Sequence, residues 1–115
     1  MAQVFDGITV LDFTRGMPGG IATMVMSDFG AEVIKVEAPS DEKFRSSSGA
    51  IQWNRGKKSI ILDLKTKQGR ERAQELVRIS DVVVESFRPG VTRRLGIDYE
   101  NLKADHPGLI YASLT

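Results

Sequence analysis

The sequence predicts an α/β fold: one domain over residues 1–115, with a mainly parallel sheet and helices on both faces. Two observations lead to this prediction. Short apolar runs that suit strands alternate with helical patterns along the whole chain. The runs themselves are almost continuously apolar, which is typical of parallel strands covered on both faces.

The first part of the chain predicts a strand, a glycine turn, a helix and a second strand. Residues 8–13 are rich in β-formers, and the Gly and Pro residues of segment 15–20 interrupt that run. Apolar residues then recur at helical spacing, at Ile21, Met24, Val25 and Phe29. Gly30 supplies a left-handed stop to this helix, and residues 33–36 form the second strand.

Segment 38–56 is polar, contains "SSSG" and has no strong period, so we predict a long surface loop there. Unstructured segments of this length in compact domains are usually binding segments or disordered. This loop is therefore a candidate functional segment.

The second half of the chain continues the alternation. Residues 59–64 predict the third strand, and Thr66 is an N-cap for a helix that ends near Ser80. Residues 82–85 predict the fourth strand. Two short helices follow, one stopped at Gly96 and one capped by Asp98, before a fifth strand at 109–114. With no helix after that strand, we expect a domain that is incomplete at its C-terminal end, a fragment of a longer chain.

The turn after the first strand resembles a phosphate-binding turn without matching the dinucleotide motif. That motif requires Gly-x-Gly-x-x-Gly, with an acid about 20 residues further on that binds the ribose. Here the glycines are Gly16, Gly19 and Gly20, at a different spacing, although Glu37 stands where the acid is expected. Backbone N–H groups of the turn can still bind an anion, and tight packing explains the glycines equally well.

Composition excludes several classes of function. There is no cysteine, so disulfides and thiolate chemistry are excluded. No apolar run reaches the length of a membrane span, and no signal peptide is present, so we expect a cytoplasmic protein. Eleven of the 16 Lys and Arg fall in segment 55–94, against five acids. A solvated surface or a polyphosphate ligand explains this, and nucleic acid does not, because stacking aromatics are missing.

Several segments together resemble the N-terminal part of class III CoA-transferases, the group that includes formyl-CoA, carnitine and bile-acid CoA-transferases and α-methylacyl-CoA racemase. The segments are "DGITVLDFTRGMPGGIATMVMSDFGAEVIKVE", "NRGKKSIILDLKTKQGRE" and "SDVVVESFRPGVTRRLGIDYENLKADHPGLIYASLT". They occur in the order in which the family has them and cover residues 6–115.

The resemblance implies a Rossmann-like domain that binds coenzyme A across the carboxyl ends of the strands, and a homodimer whose full-length chains are interlocked. It also implies acyl-CoA and a carboxylic acid acceptor as substrates, and no metal, membrane or nucleic-acid partner. By position, the residues implied to contact CoA are Met17, Ala38, Asn54, Lys57, Lys58, Ser86, Phe87 and Arg94. The cations among them suit phosphate groups, and Phe87 suits the adenine.

The resemblance is incomplete at informative positions. Met17 stands where oxalate-type enzymes have a polar residue, often glutamine, and Ser86 stands where asparagine is common. In the transferases an aspartate forms an acyl anhydride and then an aspartyl-CoA thioester. None of Asp12, Asp28 and Asp63 has the context of that nucleophile, and His106 precedes Pro107 in a turn, so we expect the catalytic residue beyond Thr115.

Three functions remain open from the sequence. The chain is a CoA-transferase segment with part of the CoA site, a racemase-type relative, or a non-catalytic module that binds CoA or NAD or a protein partner. In the first case the chain alone is expected to bind CoA weakly and to catalyse no transfer.

Overall fold

The computed structural model describes residues 2–115 and all of their side chains except that of Phe44. Within this range five strands form a single sheet in which every neighbouring pair is parallel. The strands are β1 Thr9–Phe13, β2 Glu32–Glu37, β3 Lys58–Ile61, β4 Val82–Glu85 and β5 Ile110–Ser113. The predicted α/β fold class is confirmed, and the predicted fourth strand has the observed bounds.

Six α-helices and one 3₁₀ turn, Pro39–Asp41, connect these strands. The helices are α1 Met17–Asp28, α2 Glu42–Arg45, α3 Ser48–Trp53, α4 Lys67–Arg78, α5 Val91–Leu95 and α6 Tyr99–Leu102. The predicted caps of α4 and α5 are confirmed. The Thr66 hydroxyl accepts a hydrogen bond from the Gly69 N–H at 3.0 Å, and Gly96 ends α5 in the left-handed conformation.

The strand order is β3-β2-β1-β4-β5, which is the order of a Rossmann-like sheet. The chain moves outward from β1 through β2 to β3 and then crosses to the other side of β1 to form β4. The order therefore reverses between β1 and β4. In open parallel sheets, ligands bind outside the carboxyl ends of the strands at this position.

The two faces of the sheet carry separate cores. On the α4 face nine buried apolar residues form one cluster, which includes Leu11, Val77 and Ile97. On the α1 face the cluster has only four buried members, which are Val10, Ala31, Val33 and Val84. Alternate residues of β1 supply both clusters, as the two-residue period of a strand requires.

The structure corrects the predicted start of α1, because the helix begins at Met17 and includes Gly19 and Gly20, which we assigned to the turn, with Gly16 as its N-cap. Pro18 is tolerated there, since the first turn needs no donor from it. Gly19 and Gly20 are required by close packing: a Cβ at Gly19 would lie 2.3 Å from the Thr14 Cβ, and one at Gly20 would lie 2.4 Å from the Trp53 ring.

Segment 38–56 is not the irregular loop that the sequence predicted. It folds into the 3₁₀ turn, α2 and α3, with the Ser47 hydroxyl accepting a hydrogen bond from the Ala50 N–H at the start of α3. These elements are only three to six residues long, too short to show a period in the sequence. They place α3 against α1, where Trp53 meets Gly20.

Over the described residues, none of the helices combines the length and the apolar character that crossing a membrane requires.

Candidate functional site

A cavity lies at the carboxyl ends of four strands, where the strand order reverses. It measures about 440 Å³. Residues that end or follow β1, β2, β3 and β4 line it, together with one face of α5. They are Phe13, Arg15, Val36, Ala38, Leu62, Asp63, Leu64, Lys65, Phe87, Val91, Arg94 and Leu95. We call this cavity the strand-end cleft.

Three of the eight predicted site residues meet in this cleft: Ala38, Phe87 and Arg94. Phe87 lies just beyond β4, with its ring centroid 6.5 Å from that of Phe13, so one of its faces packs on the core. Arg94 is exposed on α5. An aromatic face and a cation are therefore presented to the same space.

Arg15 and Lys65 also line the cleft, and the sequence analysis did not select either of them. Arg15 directly follows the β1 region, and Lys65 follows the run that we predicted as the third strand. Their position just after strand ends was the available signal, because the carboxyl ends of parallel strands share one edge of the sheet.

The cations of the cleft differ in their ionic partners. Arg15 pairs with Asp41 at 2.5 Å. Arg94 and Lys65 have no carboxylate within ion-pair distance among the residues that the structure describes. The cleft therefore holds two cations that form no ion pair, together with the carboxylate of Asp63, whose Oδ1 accepts a hydrogen bond from the Lys65 N–H at 3.0 Å.

The other five predicted residues do not line the strand-end cleft. Met17 is 57% exposed at the first position of α1. Lys58 is exposed on β3, and its ammonium lies 3.2 Å from Glu32 near the amino end of β2. Ser86 joins the ends of β1 and β4, because its hydroxyl accepts a hydrogen bond from the Arg15 N–H at 2.8 Å.

Lys57 is the most deeply buried of these residues. Its side chain is 1% exposed, and its Nζ lies 3.2 Å from Asp12 Oδ2 and donates to the Gly20 carbonyl at 3.1 Å. Asn54 Oδ1 lies 3.5 Å from the same Nζ. Burial lowers the pKa of the Lys57 ammonium, and the nearby Asp12 carboxylate partly opposes that change.

Asp12 is the centre of this buried network. Its Oδ1 accepts hydrogen bonds from the N–H and hydroxyl of Thr14, and its Oδ2 accepts one from the Thr23 hydroxyl at 2.6 Å. The network joins β1, α1 and the segment before β3 directly beneath the glycine turn. The position of that turn therefore depends on a buried ion pair.

A second, smaller cavity of about 170 Å³ lies on the other side of Arg15. The turn after β1, the carboxyl end of β2, α2 and α3 enclose it, with Trp53 and Ala50 as apolar walls. Asn54 lines it as well. We call this cavity the Trp53 cavity.

Glu37 and Glu85 end β2 and β4, as the sequence predicted, and both are buried. Burial raises the pKa of the Glu85 carboxyl, partly offset by a hydrogen bond from the Phe87 backbone. Glu37 faces the Trp53 cavity. His106 lies elsewhere, with Nε2 2.6 Å from the Ser80 carbonyl oxygen.

An open parallel sheet with a cleft at the reversal of its strand order places the chain among the Rossmann-like α/β domains. Comparison with known proteins identifies the family. Residues 5–115 match the model of CoA-transferase family III, and the chain belongs to that family.

Over 99% of its length the chain is 42% identical to the probable fatty acyl-CoA transferase Rv3272 of Mycobacterium tuberculosis. It is also 42% identical, over 95% of its length, to the acetyl-CoA:oxalate CoA-transferase of Acetobacter aceti. The crystal structure of Rv3272 superposes with a TM-score of 0.95 at 46% identity, covering 99% of this chain and 32% of that one. The chain spans about a third of these relatives, 32% and 30% of their lengths.

Proposed function

We propose that this chain forms part of the coenzyme A site of a CoA-transferase and that the nucleotide end of CoA occupies the strand-end cleft. The observation that carries the proposal is that Lys65 and Arg94, two cations without an ion-pair partner, line one cleft with the aromatic ring of Phe87. The 3′-phosphate and pyrophosphate of CoA carry the negative charge that such cations attract. The adenine offers a flat apolar face to Phe87.

The eight residues implied by the family resemblance take different parts in this proposal. Ala38, Phe87 and Arg94 contact CoA from the cleft. Ser86 and Lys57 hold the turn after β1 in place, through the Arg15 N–H and through Asp12. Met17, Asn54 and Lys58 remain proposed contacts for portions of CoA that extend out of the cleft.

For the whole protein we propose transfer of CoA from an acyl-CoA to a carboxylic acid, through an aspartyl-CoA thioester, by a cytoplasmic homodimer. In this scheme the aspartate carboxylate attacks the acyl carbon and releases the CoA thiolate, which then attacks the aspartyl carbonyl of the anhydride, forming the thioester and releasing the donor acid. The acceptor carboxylate reverses these two steps, which gives the new acyl-CoA and restores the aspartate. The present residues bind and orient the nucleotide in this scheme. The family membership supports it, and the names of the relatives supply examples of fatty acyl and oxalate chemistry.

Calorimetric titration of the protein with CoA, 3′-dephospho-CoA and NAD tests the proposal. We expect CoA to bind tighter than the other two, because the 3′-phosphate contributes a charge-assisted contact worth about 1.5–3 kcal/mol, roughly 10- to 150-fold in affinity. The same loss is expected for CoA in Arg94→Ala and in Lys65→Ala.

Arg93→Ala is the matched control, since Arg93 is exposed on the same helix and does not line the cleft. It removes an equal charge and should leave CoA affinity nearly unchanged. Equal binding of NAD and CoA, with Arg94→Ala and Arg93→Ala indistinguishable, would overturn the proposal in favour of a dinucleotide site.

A further inference from the structure

The Trp53 cavity contains a carboxylate oxygen that accepts no hydrogen bond. Glu37 is 5% exposed, and its Oε2 has no hydrogen-bond donor among residues 2–115. Arg45 Nε lies 3.1 Å from this atom and balances its charge, without the geometry of a hydrogen bond. Buried acceptors are nearly always satisfied, so this oxygen calls for a donor from a ligand.

Lys35 supplies a cation next to this acceptor. Its half-buried ammonium donates one hydrogen bond, to the Thr14 carbonyl at 2.8 Å. No carboxylate of the described residues lies within ion-pair distance of it. Two of its three N–H donors and its charge are therefore available to an anion.

Lys35 and Glu37 are two residues apart on β2, so their side chains leave the same face of the sheet about 6–7 Å apart. A small molecule that meets both groups needs an anionic end for Lys35 and a hydroxyl for Glu37, separated by two or three bonds. Trp53 and Ala50 give the cavity an apolar wall that suits a short hydrocarbon part, and most of its other lining residues are polar.

We propose that the Trp53 cavity binds a short hydroxycarboxylate, with its carboxylate on Lys35 and its hydroxyl donating to Glu37 Oε2. The inference rests on the proposed function, which requires a carboxylic acid beside the CoA site. Arg15 lines both cavities, so the acid lies next to the strand-end cleft. The Arg45 guanidinium, 52% exposed on the short helix α2, stays paired with Glu37 and keeps its charge balanced, and the hydroxyl donates to a second lone pair of Oε2.

Trp53 is the single tryptophan of the chain and lines this cavity, so its fluorescence reports binding there. The experiment titrates the protein with 3-hydroxybutyrate and with butyrate. We expect the fluorescence to change saturably with both acids. The affinity for 3-hydroxybutyrate should be at least about 10-fold higher than that for butyrate, because its hydroxyl donates a hydrogen bond to a charged acceptor. Equal affinities, or no saturable change, would overturn the proposal.

Substitutions on β2 show which side chain causes the preference for the hydroxy acid. Glu37→Met should reduce the preference for the hydroxyl to nearly none, and Lys35→Met should weaken both acids by a similar factor while keeping that preference. Glu32→Met is the matched control, because Glu32 is an exposed carboxylate on the same strand and lies outside the cavity. A preference that survives in Glu37→Met would also contradict the proposal.

Calorimetric titration of the same variants with CoA separates this inference from the proposed function. If CoA does not bind while the preference for the hydroxy acid is intact, the proposed function fails and the hydroxycarboxylate site stands. If Glu37→Met weakens CoA about 10-fold and the two acids bind alike, Glu37 accepts a hydroxyl of CoA itself and the hydroxycarboxylate site is overturned.

Discussion

The two faces of the sheet are stabilised in different ways. The α4 face holds nine buried apolar residues, whereas the α1 face holds four. At the centre of the α1 face stand Asp12 and Thr23, both fully buried and hydrogen-bonded to each other. Several apolar side chains on this side are nevertheless exposed: Met17, Ile21 and Val25 of α1 and Phe29 just after it are 41–57% exposed, whereas Met26 packs against the cluster.

The two faces therefore have different roles: the α4 face mainly stabilises the fold, and the α1 face mainly fixes the position of the turn after β1. Apolar contacts on the α4 face are not directional and tolerate small shifts. Hydrogen bonds and the Asp12–Lys57 ion pair are directional, so they fix where α1 begins and where Arg15 enters the strand-end cleft. The turn that carries Arg15 is therefore held by polar contacts on the α1 face. The α4 face supplies most of the hydrophobic stabilisation, and its cluster includes Phe13 and Val36 of the cleft lining.

The largest expected effect comes from the ion pair of the α1 face. Lys57→Met removes the buried ammonium and leaves the Asp12 carboxylate buried without a cation, which should lower the free energy of unfolding by about 3–5 kcal/mol. Lys58→Met is the matched control, because its exposed pair with Glu32 is screened by water and contributes little. Urea unfolding of both variants measures the difference.

A double variant sharpens this result. Asp12→Leu combined with Lys57→Met removes both charges and should recover part of the lost stability, because no buried charge is left without a partner. The recovery is incomplete, since Thr14 and Thr23 lose Asp12 as their hydrogen-bond acceptor. If Lys57→Met and Lys58→Met lose equal stability, the ion pair has no special part on this face.

The next effect concerns the close contact between α1 and the turn. A Cβ at Gly19 would lie 2.3 Å from the Thr14 Cβ, so Gly19→Ala must push the helix away from the turn, at a cost of about 1–3 kcal/mol. Gly108→Ala is the control, because its added methyl meets nothing within 4 Å. Thermal unfolding that shows no difference between the two would mean that α1 shifts freely on this face.

A smaller difference in stability is expected between substitutions of one valine on each face of the sheet. Val77 on α4 is 1% exposed, and Val25 on α1 is 41% exposed. Replacing either with threonine keeps the shape and adds a hydroxyl. We expect Val77→Thr to cost about 1–2 kcal/mol, because the hydroxyl is buried, and Val25→Thr to stay within about 0.5 kcal/mol. Similar losses in urea unfolding would show that α1 is covered in solution.

The sequence predicted the features that depend on neighbouring residues. Apolar runs marked the strands, and the caps at Thr66 and Gly96 depend on contacts within one turn. The apolar period of α1 identified a helix face but not what covers it. The partner of Lys57 lies 45 residues away in sequence, so no local pattern indicates that this lysine is buried while Lys58 is exposed.

The site residues were implied by the family resemblance and not by a local pattern. Ala38, Phe87 and Arg94 line one cleft because a parallel sheet brings its strand ends to the same edge. Arg15 and Lys65 also follow strand ends, and the resemblance did not imply them. The Trp53 cavity depends on α2 and α3, whose short segments carry no period, and the sequence could not indicate it.

The smallest effect is a pH dependence from Lys57. Burial lowers the pKa of its ammonium below the ordinary value of 10.5. Between the two pKa values the unfolded chain binds more protons than the folded one, so the free energy of unfolding rises with pH in that window and levels off above 10.5.

Burial raises the pKa of Tyr111, which makes the free energy of unfolding fall with pH in the alkaline range. The measurement is therefore made in a Tyr111→Phe background. We expect the free energy of unfolding of Tyr111→Phe to rise between neutral pH and pH 10.5. In the triple variant Tyr111→Phe, Asp12→Leu, Lys57→Met it should not rise, because the buried ammonium is gone. Parallel pH profiles in urea unfolding would mean that the ammonium titrates alike in both states, and the ion pair beneath the turn would then be open to water.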